Sequence, residues 1–141
     1  MAAVAAYQVL EFELGGKRYC VALEAVDEIV TNENEITEIP QAPAEVVGVT
    51  DLRGETTTII DPRRALGLST GAEAKYVVVF ATDEEPIGWL IEDVSQVAAH
   101  EERALDESVA TDAVNGVFKR EETFSIWVDP TSIHDTALEA T

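Results

Sequence analysis

Basic residues are scarce in this chain: nine lysines and arginines stand against 28 aspartates and glutamates, a formal net charge of −19. Cysteine occurs once, at Cys20, and histidine twice, at His100 and His134. A single cysteine excludes an internal disulfide and a cysteine metal cluster, and two isolated histidines do not complete one, so neither metal nor cofactor is expected. No apolar run approaches the roughly 20 residues that span a bilayer. The short apolar stretch Met1 to Ala6 lacks the basic flank of a signal peptide. A cytoplasmic protein without direct membrane insertion is therefore expected. A nucleotide cradle is missing too, because Gly15-Gly16 has neither the following Lys-Ser/Thr nor a strand-to-helix setting. A uniformly acidic surface repels nucleic acid and anionic lipid.

What is present is an ordinary globular balance, 46% apolar and 26% charged, which argues against disorder despite the charge. A chain of 141 residues can bury one compact core, or two small halves leaning on each other, but leaves no room for a separate catalytic domain. The acids are dispersed along the whole chain, only three of the nine basic residues are lysines, and Ala, Val and Thr are abundant. This pattern resembles the proteins of haloarchaea and other extreme halophiles. In molar salt the Debye length falls to about 3 Å, so self-repulsion is screened while carboxylates keep the surface hydrated. The competing use of the acids is a face for one basic partner.

Tyr7 to Leu14 alternates Leu10, Phe12 and Leu14 with Glu11 and Glu13, the period of a half-buried strand. Gly15-Gly16 turns it, and Lys17 to Leu23 alternates again, so the two runs predict a hairpin. Leu23, Val26, Ile29 and Val30 fall at helical spacing and predict a short helix before the next strand. Tyr76 to Phe80 and Ile87 to Ile91, separated by Asp83-Glu84-Glu85-Pro86, predict a second hairpin. Sliding the chain on itself by 68 residues without gaps aligns the two hairpins, with Val9 on Val77 and Phe12 on Phe80. The same shift places Val46 on Val114, Gly48-Val49 on Gly116-Val117 and Asp61-Pro62 on Asp129-Pro130. The expected organisation is thus a single domain made of a pseudo-repeat, with halves at about 7–66 and 75–134. An Asp followed by Pro is a helix-start signal, so short helices are predicted at Pro62 to Leu66 and Pro130 to His134. About five short strands per half, too many to leave bare edges, are expected to close each half into a small barrel.

Catalytic groups do not assemble in the sequence. Cys20 lies in an apolar strand with nothing nearby to lower its pKa, and is expected to be a small strand residue. His100, in a Glu-rich stretch, is expected at the surface, and His134 in a helix where a cation would suit the dipole. Asp51, Glu55 and Asp61 could be imagined as an acid/base pair, but chance proximity is the better account in so acidic a chain. Arg53 stands out in Gly48-Val49-Thr50-Asp51-Leu52-Arg53-Gly54, where a guanidinium is offered beside a turn glycine. It is placed either to meet a partner's carboxylate or to pair internally with a neighbour such as Asp51.

Several motifs together resemble the CheW family. They are Tyr7 to Leu14 with Gly15 and Tyr19, Leu23 to Ile29, Ile39-Pro40 to Pro43, Gly48 to Gly54, and Ile59-Ile60-Asp61-Pro62-Arg63. The similarity continues through Gly88 to Val97 and Ile126 to Asp129. It implies a mainly β fold of two five-stranded SH3-like barrels with short helices, and no catalysis. It further implies a chemotaxis scaffold that couples the cytoplasmic tips of chemoreceptors to the regulatory domain of the histidine kinase CheA, recruited to membrane-associated arrays. Residues matching the receptor-facing positions are Val26, Glu28 and Arg53, and Gly48 matches a position linked with kinase contact. The chain departs from the family pattern at Asp51, where Asn is usual, and at Cys20, where Gly follows Tyr. A specialised paralogue serving a receptor subset, a small carboxylate-dependent enzyme and a nucleic-acid-binding barrel are the alternatives.

Overall fold

Strands β1 (Ala6–Leu14) and β2 (Lys17–Ala22) pair antiparallel with Leu14 opposite Lys17, leaving Gly15 and Gly16 as the whole turn. Both glycines have positive φ, 59° and 78°, as a two-residue hairpin turn of the I′ kind requires. In this computed structural model, which describes residues 5–138, the chain then makes a single 3-10 turn at Leu23–Ala25 and enters β3 (Val26–Thr31). The helical spacing of Leu23 to Val30 therefore over-read one turn. From Val26 onward the burial alternates with period two, because β3 is held by ladder bonds to a distant strand.

β4 (Val46–Leu52) and β5 (Glu55–Ile60) form the next hairpin, followed by helix α1 (Pro62–Ala65). The second half runs β6 (Tyr76–Phe80), β7 (Ile87–Ile91), β8 (Asp93–Glu101), a 3-10 turn, the two-residue β9 (Leu105–Asp106), β10 (Val114–Arg120), β11 (Thr123–Val128) and α2 (Pro130–Leu138). Local details recur at the 68-residue spacing. Gly48 and Gly116 have φ of 158° and 152°, each beside a register shift in its ladder. Asp61 and Asp129 each accept a hydrogen bond from the backbone N–H two residues on, at 3.0 Å, and so cap the two helices.

The strands do not close within each half, as the sequence led us to expect. They exchange. One sheet is ordered β8-β1-β2-β11-β10-β9 and the other β3-β6-β7-β5-β4, so each contains strands of both halves. The parallel pairs β11 with β2 and β5 with β7 are the joins. Three cores result. Leu10, Phe12, Val21, Phe80, Trp89 and Val128, from both sheets, meet in a shared core with Ile133 and Ala137 of α2. Leu52, Ile59, Val77, Val79 and Leu90 fill the inside of the five-stranded sheet, and Val9, Cys20 and Phe118 the inside of the six-stranded one. Each sheet thus wraps its own small core while turning its other face to the neighbour.

This layering corrects three expectations about polar residues. The second face of β1 points into a barrel interior, so Glu11 is 2% exposed. Its carboxylate accepts from Gln96 Nε2 at 2.8 Å and lies 3.0 Å from His100 Nε2. Burial alone would raise the Glu11 carboxyl, but these hydrogen bonds and the nearby imidazole outweigh it and hold the group below the ordinary glutamate range. His100 is accordingly buried, stacked on Phe118 at 4.5 Å between ring centroids. His134 is buried as well, and accepts the indole N–H of Trp89 at 2.8 Å. Burial pushes its imidazole down from 6.5 to about 4, so it is a neutral acceptor in the shared core, not a cation for a helix dipole.

Candidate functional site

The β4–β5 turn consists of Arg53 and Gly54 alone, since Leu52 pairs with Glu55. Arg53 has φ 52° and Gly54 φ 85°. Glycine adopts this geometry freely, whereas arginine in the left-handed region is strained by roughly 1 kcal/mol, a cost that persists only where the surroundings enforce it. Asp51 supplies part of that enforcement, because its Oδ1 accepts the Gly54 N–H at 2.8 Å and closes the turn. Asp51 is thereby engaged with the backbone, and the Arg53 guanidinium instead pairs with Glu28, Nη1 to Oε2, at 2.7 Å.

This pair joins two distant segments. Val26 and Glu28 are successive residues on the inward face of β3, both half-buried, and Arg53 reaches across from the β4–β5 turn with its side chain 77% exposed. Three residues separated by up to 27 positions in the chain therefore form one face. An exposed ion pair contributes no more than about 1 kcal/mol to stability, so its value lies in orienting Arg53, most of whose donors remain free.

Val26 opens from this face onto a groove between the two sheets that encloses about 1290 Å³. Phe80, Ile87 and Trp127 contribute apolar surface to it. Glu24, Asp27, Asp83, Glu84, Glu85 and Asp135 are among its acids, and among the described residues no basic side chain other than the neutral His134 lines it. A smaller hollow of about 240 Å³ lies beside Glu28 and shares Asp27, Ala81, Thr82 and Glu84 with the groove as common walls. This acidic groove escaped sequence reasoning. Its signal was the tetrad from Asp83 to Pro86, which is legible as a turn but not as a wall.

Gly48 lies apart from this face, buried in β4. A Cβ there would collide with the Thr37 carbonyl, because residues 36–37 cross over it and bridge to Val49. The bridge has two hydrogen bonds, Thr37 N–H to Val49 O at 2.8 Å and Val49 N–H to Thr37 O at 2.9 Å. Any effect of Gly48 on a partner must pass through the placement of this overlying segment.

The groups considered for catalysis are dispersed. Cys20 is fully buried, and burial, with the charge of Glu11 adding to it, pushes its thiol up to about 12, which makes it unreactive at neutral pH. Asp61 is buried in a bidentate pair with Arg63, both N···O distances being 3.0 Å, while Asp51 closes its turn and Glu55 is exposed. Among the described residues no group of three or more His, Cys, Asp or Glu could hold a metal ion, and no helix is long and apolar enough to cross a membrane.

Residues 8–137 match the family model described as "CheW-like domain". The chemotaxis protein CheW of Rhizobium meliloti is 30% identical over 100 residues, covering 70% of this chain and 64% of that protein, so the chain spans just under two thirds of this relative's length. CheW of Thermotoga maritima is 27% identical over 107 residues, covering 75% of this chain and 70% of that protein. The crystal structure of the scaffolding protein TtCheW from Thermoanaerobacter tengcongensis superposes with a TM-score of 0.78 over 87% of this chain and 88% of that one, at 22% identity.

Proposed function

The chain belongs to the CheW-like domain family, and from that premise we propose that it is a non-catalytic scaffold coupling the cytoplasmic tips of chemoreceptors to the regulatory domain of the histidine kinase CheA. The observation that carries this reading is the Arg53–Glu28 pair, which gathers Val26, Glu28 and Arg53 onto one accessible face. Val26 supplies a small apolar anchor at the groove, and Glu28 and Arg53 are rim charges that fix orientation, the division of labour usual in specific interfaces. On this reading the receptor meets that face. The kinase meets a surface shaped by the segment over Gly48, and the protein works in the cytoplasm at membrane-associated arrays. We further propose that the 68-residue recurrence reflects an internal pseudo-repeat with halves at about 7–66 and 75–134.

One observation favours a more specialised version. A groove rimmed by acids and free of charged basic side chains suits a receptor tip that carries basic residues beside its apolar ones, so the chain would serve a subset of receptors. The test is co-purification with a receptor cytoplasmic fragment and with the CheA regulatory domain in molar potassium chloride. Val26→Asp and Arg53→Ala should each weaken receptor capture by about tenfold or more while leaving kinase capture unchanged. Capture of the receptor fragment at wild-type levels by both variants would refute the assignment of the face, and failure of the wild type to capture either partner would refute the coupling role.

A further inference from the structure

Four of the nine basic side chains in this protein are already engaged. Arg53 pairs with Glu28, Arg63 with Asp61 and Glu92, and Arg103 with Glu101, while Arg64 donates to the Ala44 carbonyl. Of the remaining five, four lie together at one end of the six-stranded sheet: Lys17 and Arg18 at the start of β2, and Lys119 and Arg120 at the end of β10. Among the described residues none of these four has a carboxylate within salt-bridge distance. Strand β11 runs between them. Its parallel register with β2 sets Ile126 beside Tyr19, which brings Phe124 level with Lys17, and its antiparallel register with β10 sets Phe124 opposite Lys119.

Strand alternation sorts these residues by face. Tyr19, Ile126 and Val128 pack toward the shared core, so Lys17 and Phe124 continue that outward face of the sheet beyond the core's edge. Phe118 points into the barrel, so Lys119 points outward with them. Phe124 is 56% exposed, among the most exposed large apolar residues of the protein, and the Lys119 ammonium lies over its ring at 5.8 Å from the centroid. Neighbouring strands are about 4.8 Å apart. Lys17, Phe124 and Lys119 therefore make a short row, about 10 Å across, of an exposed aromatic between two cations. The nearby acids, Glu13, Glu121 and Glu122, lie in the ladder position opposite Arg18 and in the β10–β11 turn, outside this row.

We propose that this row is a docking surface for an acidic protein segment, one that presents carboxylates on either side of an apolar side chain. Charge complementarity decides the sign of the partner, and the whole-molecule charge decides its size. A long polyanion such as nucleic acid, or an anionic membrane, must approach through the field of a protein carrying −19, whereas a short segment meets the local cations at contact range. Phe124 supplies the apolar contact that would hold such a segment in register, with lysines on both sides to pair its carboxylates. The surface belongs to the six-stranded sheet, while Val26, Glu28 and Arg53 belong to β3 and the β4–β5 turn of the other, so it is a third contact face that stands independently of the coupling proposal.

The test uses the full chain and a dye-labelled peptide of alternating Glu and Leu, read by fluorescence anisotropy at 0.1 M and 1 M potassium chloride. The wild type should bind the peptide at 0.1 M, Lys119→Glu and Lys17→Glu should each weaken binding about tenfold, and Phe124→Ser should weaken it about fivefold. The salt increase should weaken it in the wild type far more than in Lys119→Glu. All three positions are exposed, so the variants should keep the wild-type melting temperature. Absence of peptide binding at 0.1 M, or equal binding by all variants, would overturn the proposal. So would equal or tighter binding of a single-stranded oligonucleotide or of phosphatidylglycerol vesicles at the same site, since that would make the row a general polyanion surface.

Discussion

Replacing Gly48 by alanine separates a contact made by a surface from a contact made through a backbone. The glycine sits at φ 158° under the Thr37 carbonyl, where no Cβ fits. Backbone cannot swing aside as a flexible side chain can, so residues 35–37 must lift. Lifting them breaks the two Thr37–Val49 hydrogen bonds and the bond from Thr50 Oγ1 to the Glu35 carbonyl at 2.7 Å. At about 1 kcal/mol for each bond, the loss is about 3 kcal/mol, capped by the free energy of peeling that segment away locally. Urea denaturation of Gly48→Ala should therefore show a stability loss of about 2–3 kcal/mol with an unchanged m-value. Hydrogen exchange should show the amides of Thr37 and Val49 losing protection ahead of those of Ile59 and Ile60. Kinase capture should fall in parallel with that protection. If Gly48→Ala abolishes kinase capture while Thr37 and Val49 stay protected, the contact is made at Gly48 itself and the reasoning fails. A stability change under about 0.5 kcal/mol would refute the steric argument.

His134 predicts a dependence on pH. Its folded-state pKa of about 4 lies below the ordinary 6.5, so between those values the unfolded chain binds a proton that the folded one refuses. Stability present above pH 6.5 is lost as the pH falls to about 4, by some 2–3 kcal/mol at 1.36 kcal/mol per pKa unit. Asp129 and Asp135 act in the opposite direction and are part of that net value. His134→Gln keeps an acceptor for the Trp89 N–H and should flatten the fall in melting temperature between pH 6.5 and 4; a profile parallel to the wild type would refute the assignment. The dispersed charge of −19 predicts that the melting temperature rises steadily from 0.1 M to 2 M potassium chloride as self-repulsion is screened. A flat or falling curve in a calorimetric series would favour the other use of the acids, a face for a basic partner.

The parts of the fold that follow from neighbouring residues were legible in the sequence. Gly15-Gly16 and Arg53-Gly54 mark two-residue turns, and Asp61-Pro62 and Asp129-Pro130 mark two helix starts. What escaped depends on which distant strand lies alongside. The alternation in β1 suggested a solvated face for Glu11, because a half-buried strand ordinarily has one. In this protein one face of β1 meets the shared core and the other a barrel interior, so an acid could occupy it only with partners, and His100 and Gln96 of β8 are those partners. Neither their role nor that of the Trp89–His134 bond, 45 residues apart, has a local signature. The meeting of Val26, Glu28 and Arg53 was similarly invisible to spacing, and their grouping in the sequence came from family resemblance.

Strand exchange also bears on how a small protein can serve as a rigid coupler. If each half folded into its own barrel, two faces on different barrels would be joined by one linker and free to move relative to each other. Here β2 is hydrogen-bonded to β11 and β5 to β7, so each sheet is complete only when both halves are present. The join is reinforced by Arg63, which is 4% exposed. Its guanidinium holds Asp61 in the first half, and the Ala72 carbonyl and Glu92 beyond it, at 2.6 and 3.1 Å. Glu92 in turn accepts the Gly15 N–H at 3.0 Å and so ties the first hairpin to the end of β7. Removing that guanidinium would strand a buried Asp61 at a cost of about 3–5 kcal/mol, and lysine, without the planar fork, cannot replace its bidentate geometry. Load on one barrel therefore passes to the other through backbone ladders and a buried ion network. The β3 face that carries Val26 and Glu28 is held by β6 of the opposite half, so a partner docked there, as proposed, would act on both halves at once.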